Sequence, residues 1–198
     1  MKIQQIISIK TLTAILFAVS LLALTACNSQ EKKPNNNKDS SVSQSSVKPP
    51  SVDIHTATFM GNIDAVRQHI NAGSDLNVKD QYGSTPLIIA TTFGKTNVAK
   101  SLIEAGADMN ITSNDGSTPL HTAAFFCRTE IVKALLANGA DKTLKNNYGS
   151  TALASVSYPF SEAKGIYDQI SKDLGPLGFK LDYKYLEMTR PKIAKMLQ

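Results

Sequence analysis

The sequence predicts an all-α solenoid of about four stacked helix pairs, joined by short hairpin loops and closed by a helical C-terminal cap. Three observations carry this expectation. The chain matches itself at a 33-residue offset, so that Gln81–Ala90 (QYGSTPLIIA), Asn114–Ala123 (NDGSTPLHTA) and Asn147–Val156 (NYGSTALASV) align. Apolar residues recur at helical spacing after the first two segments, as Val98, Leu102 and Ile103 and then as Ile131, Leu135 and Leu136. Glycine recurs in the same register, at Gly83, Gly116 and Gly149 where a tight hairpin needs positive φ, and at Gly73, Gly106 and Gly139 where a helix must stop. A helix pair this short cannot cover its own apolar face, so neighbours have to stack.

Before the repeats, Met1–Lys10 is mildly basic and Thr11–Leu24 (TLTAILFAVSLLAL) is an uncharged 14-residue apolar run. That run is short for a transmembrane helix and right for the apolar region of a secretory signal. Its last leucine and the three residues after it, Leu24-Thr25-Ala26-Cys27, resemble the lipobox of bacterial lipoproteins. The resemblance implies a signal peptide over 1–26, cleavage before Cys27 and acylation of Cys27. That covalent lipid is the one non-protein group expected, and no other cofactor is. Each buried methylene of an acyl chain contributes about 0.8 kcal/mol, so several chains hold a protein to a bacterial membrane stably. Asn28 follows, where the lipoproteins it resembles use Asp as an inner-membrane signal; in a Gram-negative host this favours the outer membrane, facing the periplasm.

Residues 27–51 read as the lipidated cysteine and its tether. Asn28–Ser51 is Asn, Ser, Lys and Pro with two Val as its only apolar residues, too little to offset the entropy of ordering. As a flexible coil it would reach about 25–30 Å.

Residues 52–174 read as the repeat region. Gly-Ser-Thr-Pro-Leu-His at Gly116–His121 and Gly-Ala-Asp-Met-Asn at Gly106–Asn110, at a 33-residue period, resemble the ankyrin repeat, well over 52–146 and loosely over 147–174. The resemblance implies short β-hairpin loops between helix pairs. Thr before Pro, as at Thr85-Pro86, starts a helix well, because Pro at the first helical position loses no hydrogen bond. An earlier unit fits at Ile54–Ala57 and Ile70–Asn77, with His69 where Leu102 and Leu135 stand later, as suits a face turned to solvent. In the fourth unit Pro is lost at Ala152, a second helix is predicted after Ser161 as N-cap and up to about Leu174, and residues 175–198 form the cap. Gly61 and Gly94 turn the chain between paired helices, but Cys127 and Phe160 stand at the equivalent positions, so the third and fourth units turn differently or hold strain.

Charge narrows the function. The net charge is +5, but residues 52–159 carry eight basic against nine acidic groups, which is no basic stripe for nucleic acid. His55 and His121 share a slot two repeats apart with Ile88 between them, and no ligand partner recurs beside them, so no metal site is expected. No nucleophile elbow, phosphate loop or paired-carboxylate motif is present, and the chain is not read as an enzyme. Cys127, beside Arg128, leaves open a thiol-dependent oxidative-stress role.

Ankyrin proteins bind partners through hairpin tips and the exposed face of the first helices. By that resemblance the partner-binding residues are the tips Gln81, Tyr82, Asn114, Asp115, Asn147 and Tyr148. The variable helix positions Phe59, Met60, Thr92, Phe93, Phe125, Phe126 and Tyr158 join them. Phe93 and Phe126 have a packing role as the alternative, whereas Phe59, Phe125 and Tyr158 are expected to be exposed. The whole reads as a monomeric, membrane-tethered adaptor for another protein, possessing a narrower form in which it inhibits or protects an enzyme or toxin. The alternative is a structural envelope protein whose tether and basic C-terminal segment bind wall polymer or lipid head groups.

Overall fold

The computed structural model describes residues 48–198, so the signal peptide, Cys27 and most of the tether lie outside the described residues. Three regular helix pairs come first: α1 (Ile54–Met60) with α2 (Ile63–Asn71), α3 (Pro86–Thr92) with α4 (Thr96–Glu104), and α5 (Pro119–Phe125) with α6 (Thr129–Ala137). First helices stack α1 on α3 on α5, and second helices α2 on α4 on α6. The expected local causes are in place. Thr85 and Thr118 cap α3 and α5 with their hydroxyls, each followed by Pro at the start of the helix. Leu87, Leu102, Leu120, Ile131 and Leu135 are fully buried between the layers. Among the described residues no strand forms, so the β-hairpin loops are turns only. In the first, the Asp80 N–H donates to the Ser84 carbonyl and the Gly83 N–H to that of Asp80. Gly83 has φ 75°, and a Cβ there would collide with the Asn114 side chain of the next tip.

The N-terminal end is closed differently from the expectation. His69 is buried, not turned to solvent. Its Nε2 bonds the Val52 carbonyl at 2.8 Å and its Nδ1 meets the Ser74 hydroxyl at 3.0 Å. The imidazole replaces an apolar Leu because at the end of the stack it must satisfy backbone, and it ties the entering chain to α2.

The fourth unit departs most. α7 is one turn, Ala154–Ser157, and α8 runs Phe160–Leu174 into a 3-10 turn at Gly175–Leu177. α8 starts at Phe160 after Pro159 with no side-chain cap, so Ser161 is not its N-cap. Nor is α8 the second helix of the unit. That place is taken by α9 (Tyr183–Leu197), which packs on α7, α5 and α6 and carries Pro191 inside it. Its ends confirm the register: Leu186 and Tyr185 sit at Cys127 before α6, and Lys142 after α6 donates to the Gln198 carbonyl. α8 is therefore an insertion between the two helices of the last pair.

Cys127 explains how the third pair turns. Its φ is 53°, the one non-glycine in the left-handed region among the described residues, matching Gly61 at 75° and Gly94 at 65°. The turn is kept and the strain accepted, at a cost of about 1–2 kcal/mol. In the earlier turns Lys95 lies over Gly61 and Arg128 over Gly94. Over Cys127 lies α9 instead, and the thiol fills the slot, 3.8 Å from the Leu186 carbonyl. Phe160 has no such turn, because α7 leads to α8 through the extended Tyr158-Pro159.

Candidate partner-binding surface

The aromatic positions of the first helices do line up, but most are covered by the chain itself. Phe59 meets Phe93 edge-on at 4.8 Å, and Phe125 meets Phe126 at 5.2 Å. The gap between these pairs is filled by Phe179, from the segment after α8, 5.8 Å from Phe93 and 5.2 Å from Phe126. Tyr167 of α8 then covers Phe125 at 4.6 Å, and Phe160 and Tyr183 extend the row. The result is a continuous ladder of rings, with edge-to-face contacts that add about 0.5–1.5 kcal/mol per pair beyond the area buried. Phe126 is buried, and Phe93, Phe125 and Tyr158 are half-buried. The expectation that Phe125 and Tyr158 stand exposed is thus corrected: α8 and α9 lie against them. Phe59 is also half-buried, while Met60 beside it is 66% exposed.

A buried polar centre fixes α8 and α9 to the ladder. Arg190 of α9, only 2% exposed, donates from Nη1 to the Tyr167 hydroxyl at 2.9 Å and from Nη2 to the Tyr158 carbonyl at 3.0 Å. The Tyr167 hydroxyl in turn donates to the Phe125 carbonyl at 2.6 Å. Among the described residues no carboxylate pairs with this guanidinium; it lies 4.7 Å from the centre of the Tyr158 ring, whose π face supplies the counter-field. Burial pushes the hydroxyls of Tyr167 and Tyr158 up, although Arg190 pulls both the other way. Tyr167 therefore stays a neutral donor.

What remains open falls into two places. Gln81, Asn114, Asp115, Asn147 and Tyr148 are exposed along the tips, and Tyr82 is half-buried. Successive tips are clasped by the Asn147 amide, which donates to the Asn114 carbonyl. At the other end of the ladder, Met60, Phe59 and Phe93 border a groove whose far wall is Leu177–Lys180, while Thr92 is half-buried and does not line it. Sequence reasoning missed Tyr167, Phe179, Arg190 and the groove's far wall, because their partners are remote in the chain. The usable signal was the loss of glycine at Phe160, directly after Pro159, which bars the repeat's own turn.

The histidines act as scaffold. The Nε2 of His121 meets the Ser150 carbonyl and that of His55 the Val78 carbonyl, each at 2.9 Å. Thr118 offers its N–H to Nδ1 of His121, so the proton of the neutral ring is on Nε2, and burial lowers the pKa of this histidine. Cys127 is fully buried, and desolvation raises its thiol to about 11 against the pull of Arg190 and Arg128. Burial outweighs the adjacent arginine and disfavours the thiolate that the thiol-dependent reading needs. Among the described residues no cluster of His, Cys, Asp or Glu could hold a metal, and no helix is long and apolar enough to cross a membrane.

With helix pairs, tips and turns in place, comparison with known families is decisive for the fold. A model of ankyrin repeats, in three copies, matches residues 54–146. Those residues have the ankyrin-repeat fold. Among solved structures the chain is similar to the ankyrin repeat domain of Bcl-3, a member of the IkappaB protein family, at 29% identity and a TM-score of 0.50. The match covers 52% of this chain and 45% of that one, so the chain spans less than half of that structure. It is one of 450 solved chains that match, which identifies a fold and no particular partner. No curated protein matches. Ankyrin repeats generally serve as protein-interaction modules.

Proposed function

We propose that the chain is a membrane-tethered ankyrin-repeat lipoprotein of the bacterial envelope, carrying its lipid on Cys27 and binding another protein through the tips and the open end of the first-helix face. The observation that carries this reading is the placement of unburied groups. Gln81, Asn114, Asp115, Asn147 and Tyr148 sit at matching points of successive repeats, and Met60 is exposed at the end that α8 leaves free. A regular row of polar tips beside exposed Met and Tyr has the composition of a contact surface. The apolar run and Leu24–Cys27 support the anchor. In its narrower form the partner is an enzyme or toxin that the stack inhibits or protects.

Two experiments separate the two halves of the proposal. Labelling cells with palmitate should mark the chain and not its Cys27→Ser variant. A photo-crosslinking residue at Tyr148 or Met60 should then capture one defined protein in intact envelopes. Labelling without any crosslink would leave a lipoprotein whose binding surface lies elsewhere.

A further inference from the structure

We propose that the groove at the open end of the ladder docks an acidic, apolar segment of the partner, a peptide carrying Asp or Glu around a Leu, Phe or similar side chain. The inference rests on the protein-binding reading above and names the chemistry of the contact. One wall is Phe59 and Met60 of α1, and the other is Leu177 of the 3-10 turn, 43% exposed, with buried Phe179 behind it. Three cations, Lys95, Arg128 and Lys180, line the same groove, and among the described residues no acid does.

The placement of these cations is systematic. Lys95 and Arg128 hold the same slot one repeat apart, as N-caps of α4 and α6, and neither helix has a side-chain cap. A cation at a helix N-terminus opposes the helix dipole, so each pair of cation and bare N–H groups adds to one positive field. The ion pairs among the described residues involve His55, Lys133 and Lys164, and none of the three groove cations has a carboxylate within 4.0 Å. Arg128 donates from Nη2 to the Thr92 carbonyl at 2.9 Å, but its buried Nε has no acceptor among the described residues. Its guanidinium lies 5.8 Å from the Phe179 ring centre and 5.9 Å from that of Phe126, so the charge is held partly out of water beside apolar surface.

An apolar floor ringed by unpaired cations is complementary to a side chain such as Leu or Phe flanked by carboxylates. A flat anionic membrane cannot follow the concave wall to reach Arg128. Nucleic acid would need phosphate contacts along a longer basic track than three groups in one groove.

The test pans a phage library of random short peptides against the purified full chain in detergent. Enriched peptides are then measured on the Lys95→Glu, Lys180→Glu double variant and on Lys184→Glu, an exposed lysine of α9 away from the groove. Lys180 is exposed, and Glu at position 95 suits the α4 dipole, so the double variant is expected to fold; a thermal melt checks this. We expect enriched peptides to combine Asp or Glu with Leu or Phe, to weaken about tenfold or more on the double variant, and to bind Lys184→Glu, a charge reversal outside the groove, unchanged. Neutral or basic peptides, no enrichment, or equal binding by the folded double variant overturns the proposal. So does charge-dependent binding to phosphatidylglycerol vesicles alone, or self-association that the double variant abolishes. If envelope crosslinks from Tyr148 persist in the double variant while peptide binding was never found, the protein-binding function stands and the groove inference falls.

Discussion

Phe179→Ala is expected to free α8 from the repeats while leaving the repeats folded. Phe179 is 5% exposed and is the ring that joins Phe93 to Phe126. Truncating a buried Phe costs about 3–5 kcal/mol, the lower end applying where the site can collapse. Here the neighbouring groove is open, so about 3 kcal/mol is the working figure. Phe179 belongs to the buried cluster that runs through the stack, but its ring contacts are to Phe93 and Phe126 at the ends of α3 and α5, so that cost is expected to fall mainly on the contact between the α8 segment and those helix ends. The equilibrium for local opening of α8 should therefore rise about a hundredfold, at roughly 1.4 kcal/mol per decade.

Native-state amide hydrogen exchange reads this directly. Amides of Ala163–Leu174 should exchange about two decades faster in the variant, while those of Val98–Ile103 and Ile131–Leu135 keep their wild-type protection. Uniform acceleration across α1–α6 would show that Phe179 belongs to one cooperative core and refute the separation. No acceleration in α8 would show that the ladder does not hold it down.

Further outcomes follow from the same geometry. Tyr167→Phe leaves both Arg190 and the Phe125 carbonyl short of a partner and should lower unfolding stability by about 1–3 kcal/mol in urea titration. Cys127, raised to about 11, should resist aromatic disulfide reagents at pH 8, where about one molecule in a thousand carries thiolate, and react once the chain is unfolded. Because this folded-state pKa lies above the ordinary 9.0, its stabilisation is complete below pH 9 and lost as pH rises towards 11, about 3 kcal/mol in all; Cys127→Ala should flatten that alkaline fall. The lowered pKa of His121 works at the other limb: its contribution is full above the ordinary value of 6.5 and lost as pH falls below it, so His121→Gln should blunt acid destabilisation in unfolding curves at pH 7.5 and 5.

The three regular pairs were legible because each signal is local. Thr85-Pro86 caps its own helix, Gly106 ends the helix before it, and Val98 and Leu102 share one helical face. The last pair was not legible, because periodicity alone points to the wrong helix. Adding one period to the start of α6 at Thr129 reaches Glu162, inside α8, so the repeat rule assigns α8 to a place that α9 holds. What decides between them is non-local: Phe179 against Phe93, Tyr167 against Phe125, and Arg190 against Tyr158. His69 misled for a related reason, since solvent and a buried backbone carbonyl both favour a polar side chain at the end of a stack. At the surface, the tips were placed correctly in space, but exposure of Phe125 and Tyr158 depended on a segment whose docking the pattern did not encode.

This division changes how binding can be probed. A row of aromatic residues at equivalent repeat positions invites the inference that all of them serve the partner. Stacking, however, sets only their alignment; what lies over each is set by the rest of the chain. Phe125 carries the Tyr167 ring at 4.6 Å, and its own carbonyl receives the Tyr167 hydroxyl. Phe125→Ser would therefore loosen α8 and lower stability whether or not a partner touches that position. A loss of binding in such a variant has two causes that the binding assay alone does not separate. Met60 is free of this ambiguity, being 66% exposed and outside the ladder of ring contacts. Met60→Ser should change stability by less than about 0.5 kcal/mol, as surface substitutions do, so a loss of partner affinity there belongs to the interface.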